Sequence, residues 1–579
     1  MRLYAQLGQP IKIRQLYASL KETLLKEINA FPTKATRLKM EELLKVAAQQ
    51  ISVPLTSSIQ EVQRGEQIDA LEREALQYHA TMPPAQAKRP VWAVALAGAL
   101  LLLIVAKLAY RPAKPTSSAK PVAVPLQYNQ EKWKFVYSLQ EGEKGDAEPT
   151  ACTVNNYMGD FFVTGLVQTE KEDVDILTLH LSKEGKLLHR SRFSSPTHDC
   201  DRAFSITQEI RNGDTKAVYV AGETYIPASQ GVQEGFRLTL IKYDANLTPQ
   251  WVRYSPITSE NRAHKIRVET STNGSIVLGG TALEKGVHKI LLLKYTPAGD
   301  LAWQREYNPQ AKDTTFSDMG VSAKGEIFLC GTTLKEVSQS GSHTEWVTLC
   351  YSPEGNLQWS QFNAGKGQGA DTATHIILAS YPDSIYVSGV FYNGDPATGG
   401  TGTNLALAQY GIDGTPHWTR TAPDSGPEVL SSSFAKSSRP DIITIGGTKA
   451  TPERNSVIYL CQYDSMGNFR WKHHFLAPNG FQSTHDPLFV QWESDEIAFS
   501  GSLSPLPAVW QHTNDQFLFA RYTLEGNPKS QYAFKMAGDM HRPRFTIYSS
   551  KDNTVLVGGQ AQQADKRMAW VVFKYEIKK

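Results

Sequence analysis

The sequence predicts an all-β eight-bladed β-propeller of four-stranded antiparallel blades, preceded by a small α-helical N-terminal domain and one transmembrane helix. Three observations carry this. A strand–turn–strand unit recurs about every 56 residues between Leu181 and Tyr575, a blade-sized period. Within each unit, glycine and tryptophan fall at fixed offsets from an aromatic residue. One run, Val91 to Ala106, has sixteen residues without a charge or strong polar group.

The unit is clearest from Ile290 to Tyr307: an apolar strand ending at Tyr295, a turn holding Gly299, and a second strand led by Trp303. Equivalents of Tyr295 are Leu181, Tyr243, Tyr351, Tyr410, Tyr463, Tyr522 and Tyr575. Four residues on stands Gly185, Gly299, Gly355, Gly414, Gly467 or Gly526, while the Tyr243 copy has Asn246-Leu247. A short hairpin loop needs a residue at positive φ, which glycine adopts without strain. Eight residues on stands Trp251, Trp303, Trp359, Trp418 or Trp471, with His189 and Ser530 in the first and seventh copies. A ring at that spacing can fill the space between adjacent sheets.

A second hairpin precedes each copy. Its second strand is expected to end at Gly165, Gly222, Gly279, Gly331, Gly389, Gly446, Gly501 or Gly558, where glycine signals crowding or a bulge. Turn pairs such as Asn212-Gly213 and Asp552-Asn553 come before these strands. Each repeat is therefore two hairpins, hence one blade. The last copy has only four residues after Tyr575, so its outer strand must come from elsewhere; Trp133–Tyr137, before the first repeat, has the character of that strand. Closure of this kind leaves no long free edge.

The combination of an apolar strand, Lys-Tyr, Gly four on and Trp eight on resembles the bacterial SBBP-type β-propeller repeat, and more distantly the quinoprotein-like eight-bladed propellers. The resemblance covers roughly residues 130–579. It implies a propeller exported from the cytoplasm, and it says little of function, because such propellers host enzymes, scaffolds and sensors alike.

The domains are read as 1–87 helical, 88–110 transmembrane, 111–127 Pro-rich linker and 128–579 propeller, with the N-terminal strand closing the last blade. In the first, Ile13, Leu16, Tyr17, Leu20, Leu24, Ile28 and Phe31 follow helical spacing up to Pro32, and two further helical patterns follow. The stripe reads as the core of a small bundle or as a partner-docking face; no family is recognised there. The apolar run, extended past Lys107 to Tyr110 and flanked by Trp92, matches the roughly 20 residues needed to span a bilayer core. Four prolines in residues 111–126 favour an extended spacer of up to roughly 50 Å.

Charge is uneven. Residues 1–90 hold 13 Lys+Arg against 9 Asp+Glu, residues 91–127 hold 4 against none, and the remainder holds 43 against 48. The acidic propeller argues against nucleic acid. Lys107, Arg111, Lys114 and Lys120 after the span favour a cytoplasmic C-terminal side by the positive-inside rule. The absence of an export signal ahead of the charged N-terminal domain, and the resemblance, favour the opposite. The reading adopted is a single-pass protein of the bacterial inner membrane with a cytoplasmic N-terminus and an extracytoplasmic propeller.

No catalytic, metal-binding or cofactor-binding residue is assigned. The five cysteines lack CxxC spacing; Cys330 and Cys350, on strands joined by one loop, are a candidate disulfide or ordinary strand packing. His473-His474 are read as structural. The vicinal cysteine pair of many quinoprotein dehydrogenases is missing, and their calcium and catalytic residues cannot be assembled. The candidate site is a ring at one mouth of the central channel, from the loops entering the blades: Asp146, His198, Asp199, His264, Asp313, Asp371, His485, Asp486, Asp539 and His541. The ring reads as a site for a ligand, cation or partner, or as aspartates fixing turns through backbone bonds. The expected function is a membrane-anchored, non-enzymatic binding scaffold with protein partners on the propeller face and on the helical domain. The alternatives are a transmembrane signalling protein, with the propeller as sensor and the helical domain holding a regulator as in anti-sigma factors, and a quinoprotein-type oxidoreductase.

Overall fold

The computed structural model describes residues 131–577 apart from short segments, the longest being 256–265 and 506–515. The helical, transmembrane and linker segments expected in residues 1–127 lie outside the described residues. Among the described residues, no helix is long and apolar enough to cross a membrane.

Eight antiparallel blades follow one another along the chain. Blade 1 is Ala147–Val154, Phe161–Gln168, Val174–Leu181 and Leu187–Phe193, ordered from first to outer strand. Blades 2 to 7 occupy 201–254, 266–307, 314–363, 372–421, 429–475 and 489–535. A short strand, Phe481–Ser483, pairs with a strand of blade 6 and one of blade 7, joining the two into one ladder. Blade 8 is Met540–Ser549, Thr554–Gln562 and Met568–Glu576, and its outer strand is Glu131–Val136 from the other end of the chain.

The second and third strands of a blade are apolar on both faces because each blade is packed on both sides, whereas the outer strands, such as Leu187–Phe193 and Leu301–Tyr307, are half-exposed and largely polar. In the third strand of blade 3, Leu291 and Leu293 face blade 2, while Ile290 and Leu292 face blade 4. Eight apolar clusters result, one at each junction between neighbouring blades, including that between blades 8 and 1. The core is thus a ring of eight layers, and each strand's period-two alternation is an alternation between neighbours.

The glycine of the second strand has a specific cause, and the strand runs on past it. The first strands of blades 1, 2, 4 and 5 carry a β-bulge just after the residue paired with Gly165, Gly222, Gly331 or Gly389. The bulge pushes the preceding carbonyl toward the glycine. A Cβ at these positions would lie 2.0 Å from Glu148 O, 2.0 Å from Arg202 O, 2.2 Å from Thr315 O and 2.1 Å from Thr372 O. Only glycine tolerates that approach.

The turn glycine and the tryptophan form an interblade clamp. Gly299 sits at φ 91°, and its Cβ would lie 2.8 Å from the Trp251 ring of the preceding blade. Gly355, Gly414, Gly467 and Gly526 meet Trp303, Trp359, Trp418 and Trp471 in the same way. Trp303, Trp359, Trp418 and Trp471 each donate Nε1–H to a carbonyl of the next blade's turn at 2.9–3.1 Å. The residue two beyond the tryptophan adds a second grip: Arg253, Arg305 and Arg420 donate to the turn glycine's carbonyl at 2.6–2.7 Å. Trp133 is the clamp of blade 8. It pairs with Lys574 as Trp303 pairs with Lys294, its ring covers Gly185, and its Nε1–H reaches Lys183 O at 3.1 Å.

The two departures from the pattern have matching partners. Blade 1 has His189 in place of tryptophan, and the turn it faces in blade 2 has Leu247 in place of glycine, at φ 61° and buried. Blade 7 has Ser530, and blade 8, whose outer strand comes from 131–136, has no such turn to clamp.

All five cysteines are free thiols. Cys330 is opposite Thr348 and Cys350 opposite Phe328, so the register offsets the two diagonally and corrects the candidate disulfide to packing within the junction of blades 4 and 5.

Candidate functional site

Of the ten channel-mouth residues expected from sequence, Asp146, Asp313 and Asp371 are described with their side chains and His541 by its backbone alone; the other six lie outside the described residues. The three aspartates sit before the first strands of blades 1, 4 and 5 and bind backbone. Asp146 Oδ1 accepts from Met568 N at 2.7 Å, and Asp313 Oδ1 from His288 N at 2.6 Å, each capping the third strand of the preceding blade. Asp371, nearly inaccessible, accepts from Gly365 N at 2.7 Å and Tyr392 N at 2.6 Å.

Asp201 does in blade 2 what Asp371 does in blade 5. It is buried and accepts from Ser195 N at 2.6 Å. Burial pushes both carboxyls up to about 6, against the opposing pull of those N–H donors. Selection by loop position picks out Asp199 and passes over Asp201. The signal for Asp201 is Asp-x-Ala, in Asp201-Arg202-Ala203 and Asp371-Thr372-Ala373, where the alanine pairs with the blade glycine.

Inside the ring, Arg267 of blade 3 donates to Asp318 of blade 4 at 2.8 Å, and Ile376 N of blade 5 donates to the other Asp318 oxygen at 3.2 Å. Burial raises the nearby Glu269 carboxyl to about 7, and Arg267 opposes that rise. These contacts tie three blades together. No cluster of metal-ligating side chains occurs among the described residues.

On the face formed by the hairpin turns, a cleft of about 680 Å³ opens between blades 8 and 1. Phe161, Ile547 and Leu556 are apolar lining; Thr153, Asn156 and Ser549 supply hydroxyls and an amide; Lys183, Lys574 and Asp552 supply charge. The turn Asn155–Asp160 forms one lip. Asn155, itself buried, organises it: Oδ1 accepts from Tyr157 N and Met158 N at 3.0 and 3.2 Å, and Nδ2 donates to Gly213 O and Thr215 Oγ1 of blade 2. The backbone bonds Gly159 N to Asn155 O at 2.7 Å and Asn155 N to Asp160 O at 2.9 Å close the loop. Tyr157 and Met158 are thereby held out in solvent, 76% and 60% exposed. Among the described residues, Met466 at 68% is the one other large apolar side chain so exposed.

Lys574 stands where Lys242 and Lys294 stand in blades 2 and 3. Those two donate to the next blade's turn at 3.0 and 2.7 Å, whereas Lys574 reaches Lys183 O only at 3.5 Å. Burial lowers its ammonium pKa, with Asp552 pulling the other way. No carboxylate among the described residues lies within ion-pair distance of it.

Nothing in the repeat pattern marks this cleft. The available signal is Tyr157-Met158 at a turn whose counterpart in blade 4 is Ala323-Lys324. That the cleft lies between the first and last blades is a consequence of ring closure, which brings residues some 400 positions apart to one site, as the Trp570 Nε1 bond to Leu166 O also shows.

No family model and no curated protein matches the chain. Solved structures align with it along most of its length. Drosophila Plexin A in complex with Semaphorin 1b is 9% identical with a TM-score of 0.36, over 78% of this chain and 88% of that one. The polysaccharide lyase Uly1 is 10% identical with a TM-score of 0.40, over 81% and 96%. A point mutant of the NanB sialidase from Streptococcus pneumoniae is 7% identical with a TM-score of 0.34, over 79% and 99%. At identities of 7–10% and TM-scores of 0.34–0.40, these likenesses carry no argument about the fold or the function of this chain.

Proposed function

We propose that this protein is a membrane-anchored binding scaffold whose working surface is the turn face at the junction of blades 8 and 1. The observation that carries the reading is the Asn155-braced turn, which fixes an exposed tyrosine and methionine beside a polar-walled cleft. Such side chains suit recognition surfaces, the tyrosine because its two χ angles lose little freedom when it is covered and the methionine because it adapts its shape to a partner. In this reading residues 88–110 span the inner membrane of a bacterium, residues 111–127 hold the propeller away from it, and the propeller lies outside the cytoplasm. The likeness of the repeat to SBBP-type sequences and the apolar run at 91–106 support that arrangement.

The test is partner capture by the full-length chain from membranes in mild detergent, comparing wild type with Tyr157→Ala/Met158→Ala. A protein retained by wild type and lost with the double variant supports the scaffold. Equal capture by both places the working surface elsewhere. Alkaline phosphatase fused after Lys579 should be active, and a reporter that fluoresces only in the cytoplasm should be dark there. The reverse pattern overturns the orientation. A sigma factor or response regulator captured through residues 1–90 would favour the signalling alternative, and a quinone absorbance band in the purified protein the oxidoreductase.

A further inference from the structure

We infer that the cleft between blades 8 and 1 binds an acidic sugar unit, its carboxylate on Lys574 and Lys183 and its ring against Tyr157. The inference takes its site from the scaffold reading and adds the chemistry of the occupant.

A sugar ring presents an apolar C–H face and an edge of hydroxyls. The cleft is built in the same two parts. Phe161, Ile547 and Leu556 are apolar, and the exposed Tyr157 ring offers a flat apolar surface at the lip; Thr153, Asn156 and Ser549 offer hydroxyl and amide groups at the walls.

The charge narrows the class. Among the described residues that line the cleft, two are lysines and one, Asp552, is a carboxylate, an excess of one positive charge. Lys574 is half-buried and makes only the 3.5 Å approach to Lys183 O, whereas its repeat-mates in blades 2 and 3 are fully engaged. Lys183 is exposed, with Glu184 at 3.8 Å. An ammonium acts as a point charge and holds a carboxylate without the fixed bidentate fork of a guanidinium; among the described residues no arginine lines the cleft. An extended peptide would need free backbone groups to pair with. The lip offers few, because Asn155 N, Tyr157 N, Met158 N and Gly159 N are all bonded within the turn.

The experiment is titration of the full-length chain, by calorimetry, with a panel of uronic-acid oligosaccharides, their neutral counterparts and tri-glutamate. Lys574→Met, Lys183→Met and Tyr157→Ala are compared with wild type. Lys294→Met, at the repeat position equivalent to Lys574 but in blade 3, is the control for a purely structural effect. Binding of an acidic saccharide is expected, with neutral counterparts bound at least about tenfold more weakly, the worth of one charge-assisted contact. Lys574→Met and Tyr157→Ala should weaken it by a similar factor and Lys294→Met should not. Lys183→Met, which keeps the backbone carbonyl that Trp133 uses, tests the cation with the fold intact. Equal affinity for neutral sugars, binding untouched by both lysine variants, preference for tri-glutamate, or an empty panel would each overturn the inference. An empty panel alongside Tyr157-dependent protein capture sinks this inference and leaves the scaffold standing. Saccharide binding with no Tyr157-dependent capture sinks the protein scaffold and leaves the sugar site.

Discussion

The paired exceptions at blades 1 and 2 make a quantitative test of the clamp. Where a tryptophan covers a turn, the turn residue must be glycine, since a Cβ at Gly299 would stand 2.8 Å from the Trp251 ring. Blade 1 offers His189 instead, and Leu247 occupies the turn at φ 61° with 2% exposure. Leu247→Gly alone relieves a left-handed leucine, worth about 1–2 kcal/mol, but empties a buried site beside Phe162, Ile176 and Tyr243, which costs about 2–5 kcal/mol. The net is a loss of about 2 kcal/mol. His189→Trp alone drives a large ring against a turn that has a side chain, an overpacking cost of about 1–3 kcal/mol. The double variant recreates the clamp of blades 2 to 6, with glycine at the positive φ and an indole over it. It should be more stable than either single variant, with a favourable coupling of about 2 kcal/mol or more. The assay is urea unfolding of the full-length chain followed by near-ultraviolet circular dichroism, with all four members of the cycle measured together. Additive losses, with no coupling, would refute the claim that tryptophan and glycine are one device.

Trp133→Ala should cost about 2–3 kcal/mol, part from the half-buried ring and part from its bond to Lys183 O, and should hasten proteolysis near Tyr137; a melt equal to wild type would mean that the closing strand is held by its ladder alone. Gly331→Ala should unfold the chain at markedly lower urea than Gly286→Ala, because the first adds a methyl 2.2 Å from Thr315 O and the second meets open space and only the cost of a positive φ of 77°; equal effects would exclude the bulge as the cause. Asp201 and Asp371 have folded-state pKa values raised to about 6, so the folded chain holds their protons more tightly. Their contribution is therefore fully present below the unfolded value and is lost as pH rises from about 4 through about 6, by at most about 3 kcal/mol each. Asp371→Asn should flatten that slope while lowering stability at every pH, since an amide offers one acceptor to two N–H donors; an unchanged slope would show that the carboxyl titrates normally.

The propeller, its blade count and the need for a borrowed outer strand were legible in the sequence because they rest on local chemistry repeated eight times. A positive-φ turn demands glycine wherever it occurs, as at Gly299, and a strand buried on both faces must be apolar throughout, as Ile290–Leu293 is. What the glycine of the second strand is for could only be seen in three dimensions: the crowding at Gly331 comes from a carbonyl on a neighbouring strand. The same is true of Leu247, which looks like a fault in the repeat until His189 is found in the place of the missing tryptophan. Asp146, Asp313 and Asp371 were picked out by loop position, but the bond of Asp146 runs to a strand more than 400 residues away, so sequence could not say that a backbone N–H already occupies one of its oxygens. The cleft between blades 8 and 1 was invisible for the same reason. Periodicity reports what every blade shares, whereas this cleft exists where the ring closes and brings Tyr157 and Lys574, far apart in the chain, onto one surface.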